Sequence, residues 1–328
     1  MVFQMSQRTQ GWFVIAMLLA LFTLVLTISC GSSACLSPYD FNQALWMLRA
    51  PRVFSGFAVG GLLALAGALM QLLLRNPLAD PYVLGVSGGA ATGAMIFSFL
   101  LPATLSFYGL QFGALLGAML AICLLFGLAH RSLLSLDTTV MNGLSGTRLI
   151  LTGVMISAGF GAFITLLLSL APDAQLRGTL FWLMGDLDTG DFAVTAWLVL
   201  LLVSFWAIRH AHALNVLAHG EATAQLLGVP VRRLRTTALL LASLATAAAV
   251  ATAGAIGFIG LVVPHALRLL VGNDQRFLLP ASVLAGGITL TLADLAARTL
   301  AAPLQLPVGV ITALTGVPVF LYMLSRSR

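Results

Sequence analysis

Residues that could carry out chemistry are few in this chain, and their types exclude several reactions. All 16 basic residues are arginine, so the chain has neither the lysine of a P-loop nor a lysine that could form a Schiff base. The three cysteines, Cys30, Cys35 and Cys123, lack the spacing of a metal site. Cys30 and Cys35 flank a short loop and form either an extracytoplasmic disulfide or two unpaired thiols. The sequence contains no Ser–His, paired-Asp or HExxH pattern typical of a hydrolase.

Two polar stretches interrupt otherwise apolar sequence, and the first is RNPLADP at residues 75–81. Asparagine and proline favour a tight, non-helical turn. Taken by itself, this stretch predicts a sharp turn with one arginine.

The second polar stretch, NVLAHGEATAQLLGVPVRRLR at residues 215–235, holds the only glutamate of the chain, Glu221. A short helical stripe is predicted there, ended by Gly228 and followed by a second turn that starts at Pro230. The stripe consists of Ala222, Gln225, Leu226 and Val229, and the arginines that follow are Arg232, Arg233 and Arg235. The segment is either a helix–turn–helix that docks onto a soluble partner or a basic loop that rests on anionic lipid.

Composition indicates where these stretches lie, because 60% of the residues are apolar and 8% are charged. The mean hydropathy is +1.04, and a soluble domain carries about 25% charged residues. Runs of about 20 apolar residues are long enough to cross a bilayer as helices. We therefore predict one all-α transmembrane domain over residues 1–328, with about ten spans near 12–30, 53–74, 82–101, 108–129, 148–170, 192–209, 236–254, 257–271, 278–297 and 307–324.

Arginine placement predicts the orientation, because cytoplasmic segments of membrane proteins carry an excess of basic residues. With the N-terminus inside, eleven arginines fall on the cytoplasmic side and four fall outside: Arg49, Arg52, Arg177 and Arg298. Both termini are then cytoplasmic. Ionisable residues are sparse inside the predicted spans, where His265 and Arg268 are the main exceptions. Ion-coupled transporters usually carry such residues at mid-depth, so a secondary transporter is the less favoured alternative.

Five sequence blocks in order resemble the permease subunits of ABC importers for iron complexes and cobalamin. The resemblance covers nearly the whole chain from about residue 37, and the segment at residues 215–235 resembles the coupling loop of that family. The blocks are LRAPR at 48–52, GALMQLLLRNPLADPYVLGVSGGA at 67–90, GAIGFIGLVVPHALR at 254–268, ADLAAR at 293–298 and LPVGVITALTGVPVFLYML at 306–324.

The resemblance implies an architecture and a set of partners. It implies ten transmembrane helices, a homodimer with a central translocation pathway, and a location in the bacterial inner membrane. Two ATP-binding-cassette subunits would dock from the cytoplasm and a periplasmic binding protein would deliver the cargo, while nucleic acid is not expected as a partner. The chain itself would be no enzyme and would hold no cofactor, since ATP and Mg²⁺ belong to the ATPase. The expected cargo is haem or a ferric siderophore, with cobalamin as the alternative.

The resemblance also implies roles for individual residues. Coupling to the ATPase falls on Glu221, Gln225, Leu226, Gly228, Val229 and Arg232, and the cytoplasmic gate on Asn76, Leu78, Gly146 and Thr147. Docking of the binding protein falls on Arg49, Arg52 and Arg298, because guanidinium groups pair with carboxylates. An intrahelical pair with Asp294 is the other interpretation of Arg298, and lipid headgroup contact is the other interpretation of Arg49 and Arg52.

The fifth and tenth spans should line the pathway. The candidate polar residues are Thr152, Ser157, Thr165 and Ser169, although each hydroxyl could instead bond to its own helix. Residues 173–192 resemble a short helix that closes the pathway from outside, and Trp182 within it could equally be an interfacial anchor. No outward-facing histidine or tyrosine pair is placed to ligate haem iron.

Overall fold

The computed structural model describes residues 7–31, 43–100, 106–134, 144–187 and 193–326. Every regular element within these ranges is a helix. A 3-10 turn at Pro81–Leu84 accompanies thirteen described α-helices: α1 Gln7–Ser29, α2 Gln43–Leu73, α3 Val86–Leu100, α4 Ser106–Leu134, α5 Leu144–Leu170, α6 Asp173–Leu183, α7 Ala193–Arg209, α8 Ala211–Ala218, α9 Glu221–Leu226, α10 Val231–Ala253, α11 Ile259–Val271, α12 Gln275–Thr299 and α13 Val308–Arg326.

Each of the ten predicted spans contains one of these helices. Six described helices, α2, α4, α5, α10, α12 and α13, are long and apolar enough to cross a membrane. Helices α7 and α8 meet at 64° and make a seventh span when they are taken together, and α1, α3 and α11 contribute shorter apolar segments. The all-α membrane fold is therefore confirmed, while ten as the number of crossings stays a prediction.

Helix α2 forms the centre of the bundle, since 94% of its apolar span is buried within the chain. It packs against α7, α10, α11 and α12. The contact with α12 is backbone to backbone at Gly60 and Gly286, where a Cβ added to Gly60 would lie 2.2 Å from the carbonyl oxygen of Gly286. Small residues permit such approaches between transmembrane helices, so α2 and α12 form one tightly packed unit.

A second close pair joins α3 to α4. An added Cβ at Gly93 would lie 2.1 Å from the oxygen of Gly113, and one at Gly117 would lie 2.0 Å from the oxygen of Gly89. The glycines at 159 and 161 differ, because an added Cβ at either position would meet nothing within 4 Å. These two glycines lie on α5, where only 11% of the span is buried, and α13 is similarly uncovered with 22% buried.

The cysteines divide into two kinds. Cys30, just past the end of α1, is disulfide-bonded, and Cys123 on α4 is a free, exposed thiol. Cys35 lies outside the described residues.

Candidate functional site

Two of the arginines predicted to receive the binding protein share one buried carboxylate at the end of the bundle where α2 begins and α12 ends. Arg52 Nη2 lies 2.9 Å from Asp294 Oδ1, and Arg298 Nε lies 2.9 Å from Asp294 Oδ2. Asp294 is 1% exposed and Arg298 is 5% exposed. The intrahelical pair of Arg298 with Asp294 is thus present, and Arg52 brings a second guanidinium from α2.

The third arginine of this outer cluster (Arg49, Arg52 and Arg298) binds the end of α1. Arg49 Nη1 donates to the carbonyl oxygens of Ile28 at 3.3 Å and Ser29 at 2.9 Å. The last carbonyls of a helix are unpaired and carry partial negative charge, which a guanidinium stabilises. Arg49 is buried, and these hydrogen bonds attach α2 to the end of α1.

Arg52 forms the more accessible edge of the outer cluster. Its Nη1 donates to Gln305 Oε1 at 3.4 Å in an exposed hydrogen bond. Its Nη2 lies 3.7 Å from Asp186 Oδ1, and the Asp186 side chain is 33% exposed. The Arg52 side chain itself is 10% exposed, against 6% for the side chain of Arg298.

The RNPLADP stretch folds at the opposite end of α2 into a turn that its own asparagine stabilises. Asn76 Oδ1 accepts a hydrogen bond from the backbone N–H of Leu78 at 2.9 Å, which is the local turn that asparagine side chains favour. Arg75 takes a left-handed backbone conformation with φ +48°. Leu78 is 42% exposed, so its side chain points away from the core and is accessible at this end of the bundle.

The second half of the turn is attached to its neighbours. Asp80 caps the 3-10 turn, and its Oδ1 accepts from the N–H of Tyr82 at 2.8 Å. The hydroxyl of Tyr82 accepts from the N–H of Ile256 at 3.0 Å, in the link between α10 and α11. Burial raises the pKa of Asp80 to about 6, and the hydrogen bond from Tyr82 opposes that increase.

The other gate residues, Gly146 and Thr147, lie in the first turn of α5. The side chain of Thr147 and the surroundings of both residues are outside what the structure describes. The 3-10 turn that follows the RNPLADP stretch nevertheless packs against α5 further along that helix, and an added Cβ at its cap residue Gly85, where φ is +80°, would lie 2.6 Å from Ile156 Cγ2. The meeting of the two gate segments themselves stays a prediction.

The four candidate pathway residues all lie on α5. Thr152 and Ser157 are half-buried, whereas Thr165 and Ser169 are exposed. Thr165 Oγ1 donates to the oxygen of Gly161 at 3.0 Å, and Ser169 Oγ donates to the oxygen of Leu166 at 2.7 Å. The last two hydroxyls thus bond to their own helix while lying on its uncovered surface.

The predicted helix–turn–helix at residues 215–235 is present. Helix α9 ends at Leu226, Gly228 takes the left-handed region with φ +76°, and α10 begins directly after Pro230. Leu226 is 89% exposed and Leu227 is 67% exposed. A cleft of about 840 Å³ adjoins them, lined by Gln225, Pro230, Val231, Arg232, Arg233, Thr236 and Thr237. The end of α9 and its cap residue Leu227 therefore present two adjacent leucines beside a basic cleft.

Glu221 lies at the start of α9 and faces the chain itself. Its Oε1 is 2.7 Å from Arg235 Nη1, and the two side chains are 16% and 15% exposed. This ion pair joins α9 to α10. Glu221 therefore attaches α9 to α10, whereas Gln225, Leu226 and Arg232 lie on the accessible surface.

His265 is 8% exposed and packs edge-to-face against Phe320, with 6.5 Å between the ring centroids. Its ring lies between α11 and α13. Within the described ranges, no three His, Cys, Asp or Glu side chains lie close enough together to hold a metal ion.

Comparison with known proteins assigns this architecture to a family. The FecCD transport family matches residues 9–326. This chain belongs to the FecCD transport family. The match extends over the outer cluster, the turn and the helix–turn–helix together, and it confirms the resemblance to permeases of iron-complex and cobalamin ABC importers.

Similar proteins transport different cargoes. The chain is 37% identical to the vitamin B12 import system permease BtuC of Citrobacter koseri, over 99% of this chain and 97% of BtuC. It is 39% identical to the hemin transport system permease HmuU of Yersinia pestis, over 88% and 86% of the two chains. A solved structure described as an inward-facing conformation of a metal-chelate type ABC transporter matches with a TM-score of 0.84 and 30% identity, over 97% of this chain and 99% of that one.

Sequence reasoning missed one set of contacts beside the helix–turn–helix. Asn215 on α8 hydrogen-bonds to Asp274 and to the backbone of Gln275 at the start of α12. Asp274 follows Gly272 and Asn273 and precedes an apolar run, which is a helix N-cap signal that could have been recognised. The partnership with Asn215 has no such signal, because 59 residues separate it from Asp274.

Proposed function

We propose that this chain is the membrane-spanning subunit of an ABC importer that moves an iron complex, haem or a ferric siderophore, into the bacterial cytoplasm. Separate ATPase subunits would drive the cycle, and a periplasmic binding protein would deliver the cargo. The observation that carries the proposal is the pair of exposed leucines, Leu226 and Leu227, at the end of a short helix held by the Glu221–Arg235 ion pair. A fixed apolar projection beside arginines suits docking onto a soluble protein.

The orientation follows from the arginine distribution. Helices α8 and α9 would face the cytoplasm, where the ATPase is, with both termini on the same side. The outer cluster would face the periplasm and receive acidic residues of the binding protein through Arg52. Arg49 and Arg298, which are more deeply buried, would add to the positive electrostatic potential at this surface. Such a field speeds the approach of an acidic partner.

A second copy of the chain would complete the pathway. Helices α5 and α13 support this proposal, because most of their surface is uncovered within one chain and α5 carries glycines that meet no neighbour. Two copies that pair through these helices would enclose the passage. The pathway would be lined by Thr152, Ser157, Thr165 and Ser169, and the turn at Asn76 and Leu78 would narrow it near the cytoplasm together with Gly146 and Thr147.

Alternating access would couple these parts. Closure of the ATPase subunits on ATP would move α9, and the bundle would exchange between outward-open and inward-open states whose populations shift with the nucleotide. The chain would need no cofactor of its own, because ATP and Mg²⁺ would bind to the partner subunits.

Cobalamin is the second candidate cargo, favoured by the 37% identity with BtuC over nearly the full length of both proteins. The 39% identity with HmuU supports haem to a similar degree. Parallel uptake of haem, a ferric siderophore and cobalamin into liposomes would separate these cargoes.

Co-purification with a candidate ATPase tests the transporter class. We expect the ATPase to remain bound to the wild-type chain and to be lost from the double variant Leu226→Glu/Leu227→Glu, because burying a leucine contributes about 1.5–3 kcal/mol. Leu304→Glu is the matched control, since Leu304 is 67% exposed and lies at the opposite end of the bundle. Uptake driven by a proton gradient, without any bound ATPase, would instead support a secondary transporter.

A further inference from the structure

The side chain of Asn215 makes two hydrogen bonds to the beginning of α12. Its Nδ2 donates to Asp274 Oδ1 at 2.7 Å, and its Oδ1 accepts from the backbone N–H of Gln275 at 2.7 Å. The partners fix the orientation of the amide, because an ionised carboxylate can only accept and a backbone N–H can only donate. Only a side chain that both donates and accepts can make this pair of bonds.

Both sides of this contact are firmly held. On α8, Leu214 and Leu217 are 0% and 4% exposed, so the helix is anchored in the core. On α12, Asp274 is the N-cap residue and accepts from the backbone N–H of Arg276 at 3.0 Å. The hydrogen bond from the Arg276 side chain lowers the pKa of Asp274 to about 2, and the bond from Asn215 acts in the same direction. The carboxylate is therefore ionised at neutral pH.

Helix α12 links this contact to the opposite end of the bundle. It runs from Gln275 to Thr299, and 25 helical residues span roughly 37 Å. Asp274 caps its first turn, whereas Asp294 and Arg298 in its last turns form part of the outer cluster. The close approach of Gly60 to Gly286 joins it to α2 along the way. A displacement of the beginning of α12 would therefore be carried to the outer cluster by a packed unit.

We propose that Asn215 is a positioning residue that transmits movement of the ATPase-docking helices into α12, and through α12 to the surface that receives the binding protein. The proposal rests on the proposed function. Helix α9 would move α10 through the Glu221–Arg235 ion pair, while α8 would move α12 through Asn215. The two contacts differ in chemistry, since the first is an ion pair and the second needs a neutral amide.

An exchange of side chains tests the donor and acceptor roles. Asn215→Asp removes the donor and places a carboxylate against Asp274, so the contact should break. Asp274→Asn keeps an acceptor for Asn215 and for the helix cap, and it loses only the pairing with Arg276, whose side chain is 36% exposed. In the double variant Asn215→Asp/Asp274→Asn, the new amide at position 274 can donate to the new carboxylate at position 215, so the contact re-forms with its roles exchanged. The exchange costs the cap hydrogen bond from the N–H of Arg276, because Asp274 Oδ1 serves both partners in the wild type.

The measurement is the number of ATP molecules hydrolysed per cargo molecule taken up by the complete importer in liposomes. The probe is whichever of haem, ferric siderophore and cobalamin the wild-type complex takes up. We expect the ratio to rise at least fivefold in Asn215→Asp, to stay within twofold of wild type in Asp274→Asn, and to fall between these two values in the double variant, which regains the contact but loses the cap hydrogen bond. A merely structural role would lower the yield of folded protein without this pattern of rescue.

Two results would overturn the inference: a wild-type ratio in Asn215→Asp, or a double variant as impaired as Asn215→Asp. If Asn215→Asp does not fold, Asn215→Ala replaces it, because alanine removes both hydrogen bonds without adding a charge; a ratio within twofold of wild type would again overturn the inference. A wild-type complex that takes up none of the three cargoes with ATP would contradict the proposed function itself.

Discussion

Removal of the Asp294 carboxylate is the most informative test of the outer cluster. Asp294 is 1% exposed and is shared by Arg52 and Arg298, each at 2.9 Å. In Asp294→Ala, both guanidinium groups would stay in place with no carboxylate between them. Breaking a buried ion pair by removing one partner costs about 3–5 kcal/mol. We expect the free energy of unfolding to fall by about that amount.

This effect is measured by unfolding the purified chain in detergent and monitoring the loss of its helical circular dichroism signal. Asp173→Ala is the control, because Asp173 is an exposed carboxylate at the start of α6 and surface substitutions change stability by about 0.5 kcal/mol or less. Asp294→Asn should give an intermediate loss, since the amide keeps an acceptor but not the charge. A loss below about 1 kcal/mol in Asp294→Ala would refute the view that this carboxylate holds the two arginines.

Three further predictions concern packing, pH and the helix–turn–helix. Gly60→Ala should destabilise the fold by more than about 1 kcal/mol, because its Cβ would lie 2.2 Å from a carbonyl oxygen of α12. Gly127→Ala should be tolerated, because its Cβ would meet nothing within 4 Å. Thermal unfolding of the two variants compares their stabilities. Burial raises the pKa of Asp80 from 3.8 to about 6, so the folded state keeps a proton that the unfolded state releases, and the free energy of unfolding should fall by roughly 1–3 kcal/mol as pH rises from about 4 to 6. Asp80→Asn should abolish this pH dependence in unfolding curves, and an unchanged dependence would assign it to another group. Glu221→Arg should release α9 and reduce both ATPase co-purification and uptake, and Arg235→Glu in the same chain should restore them if the ion pair is what matters.

The sequence predicted the parts of the fold that depend on local patterns. Apolar runs located a helix within each predicted span, and Gly228 and Pro230 located the end of α9 and the start of α10. Asn76 stabilises the predicted turn through its own side chain. Each of these features is decided by residues that are close in sequence, which explains why the sequence predicts them.

Contacts between distant residues were harder to predict. Arg52 and Asp294 are 242 positions apart, so the sequence suggested only the local pair of Asp294 with Arg298. The family resemblance assigned Glu221 to ATPase coupling, and only the fold shows that its side chain pairs with Arg235. The bend of 64° between α7 and α8 places Asn215 against α12, and no proline or glycine marks that bend.

ATP-dependent uptake by the complete importer tests the central claim most directly. The purified chain would be reconstituted in liposomes with its ATPase and binding protein, and haem, a ferric siderophore and cobalamin would be offered in parallel with and without ATP. We predict ATP-dependent uptake of an iron complex, with uptake of cobalamin instead assigning the second candidate cargo. An intact complex that takes up none of the three would contradict the proposed cargo class, and failure of the chain to bind any ATPase would contradict its role as the permease of an ABC importer.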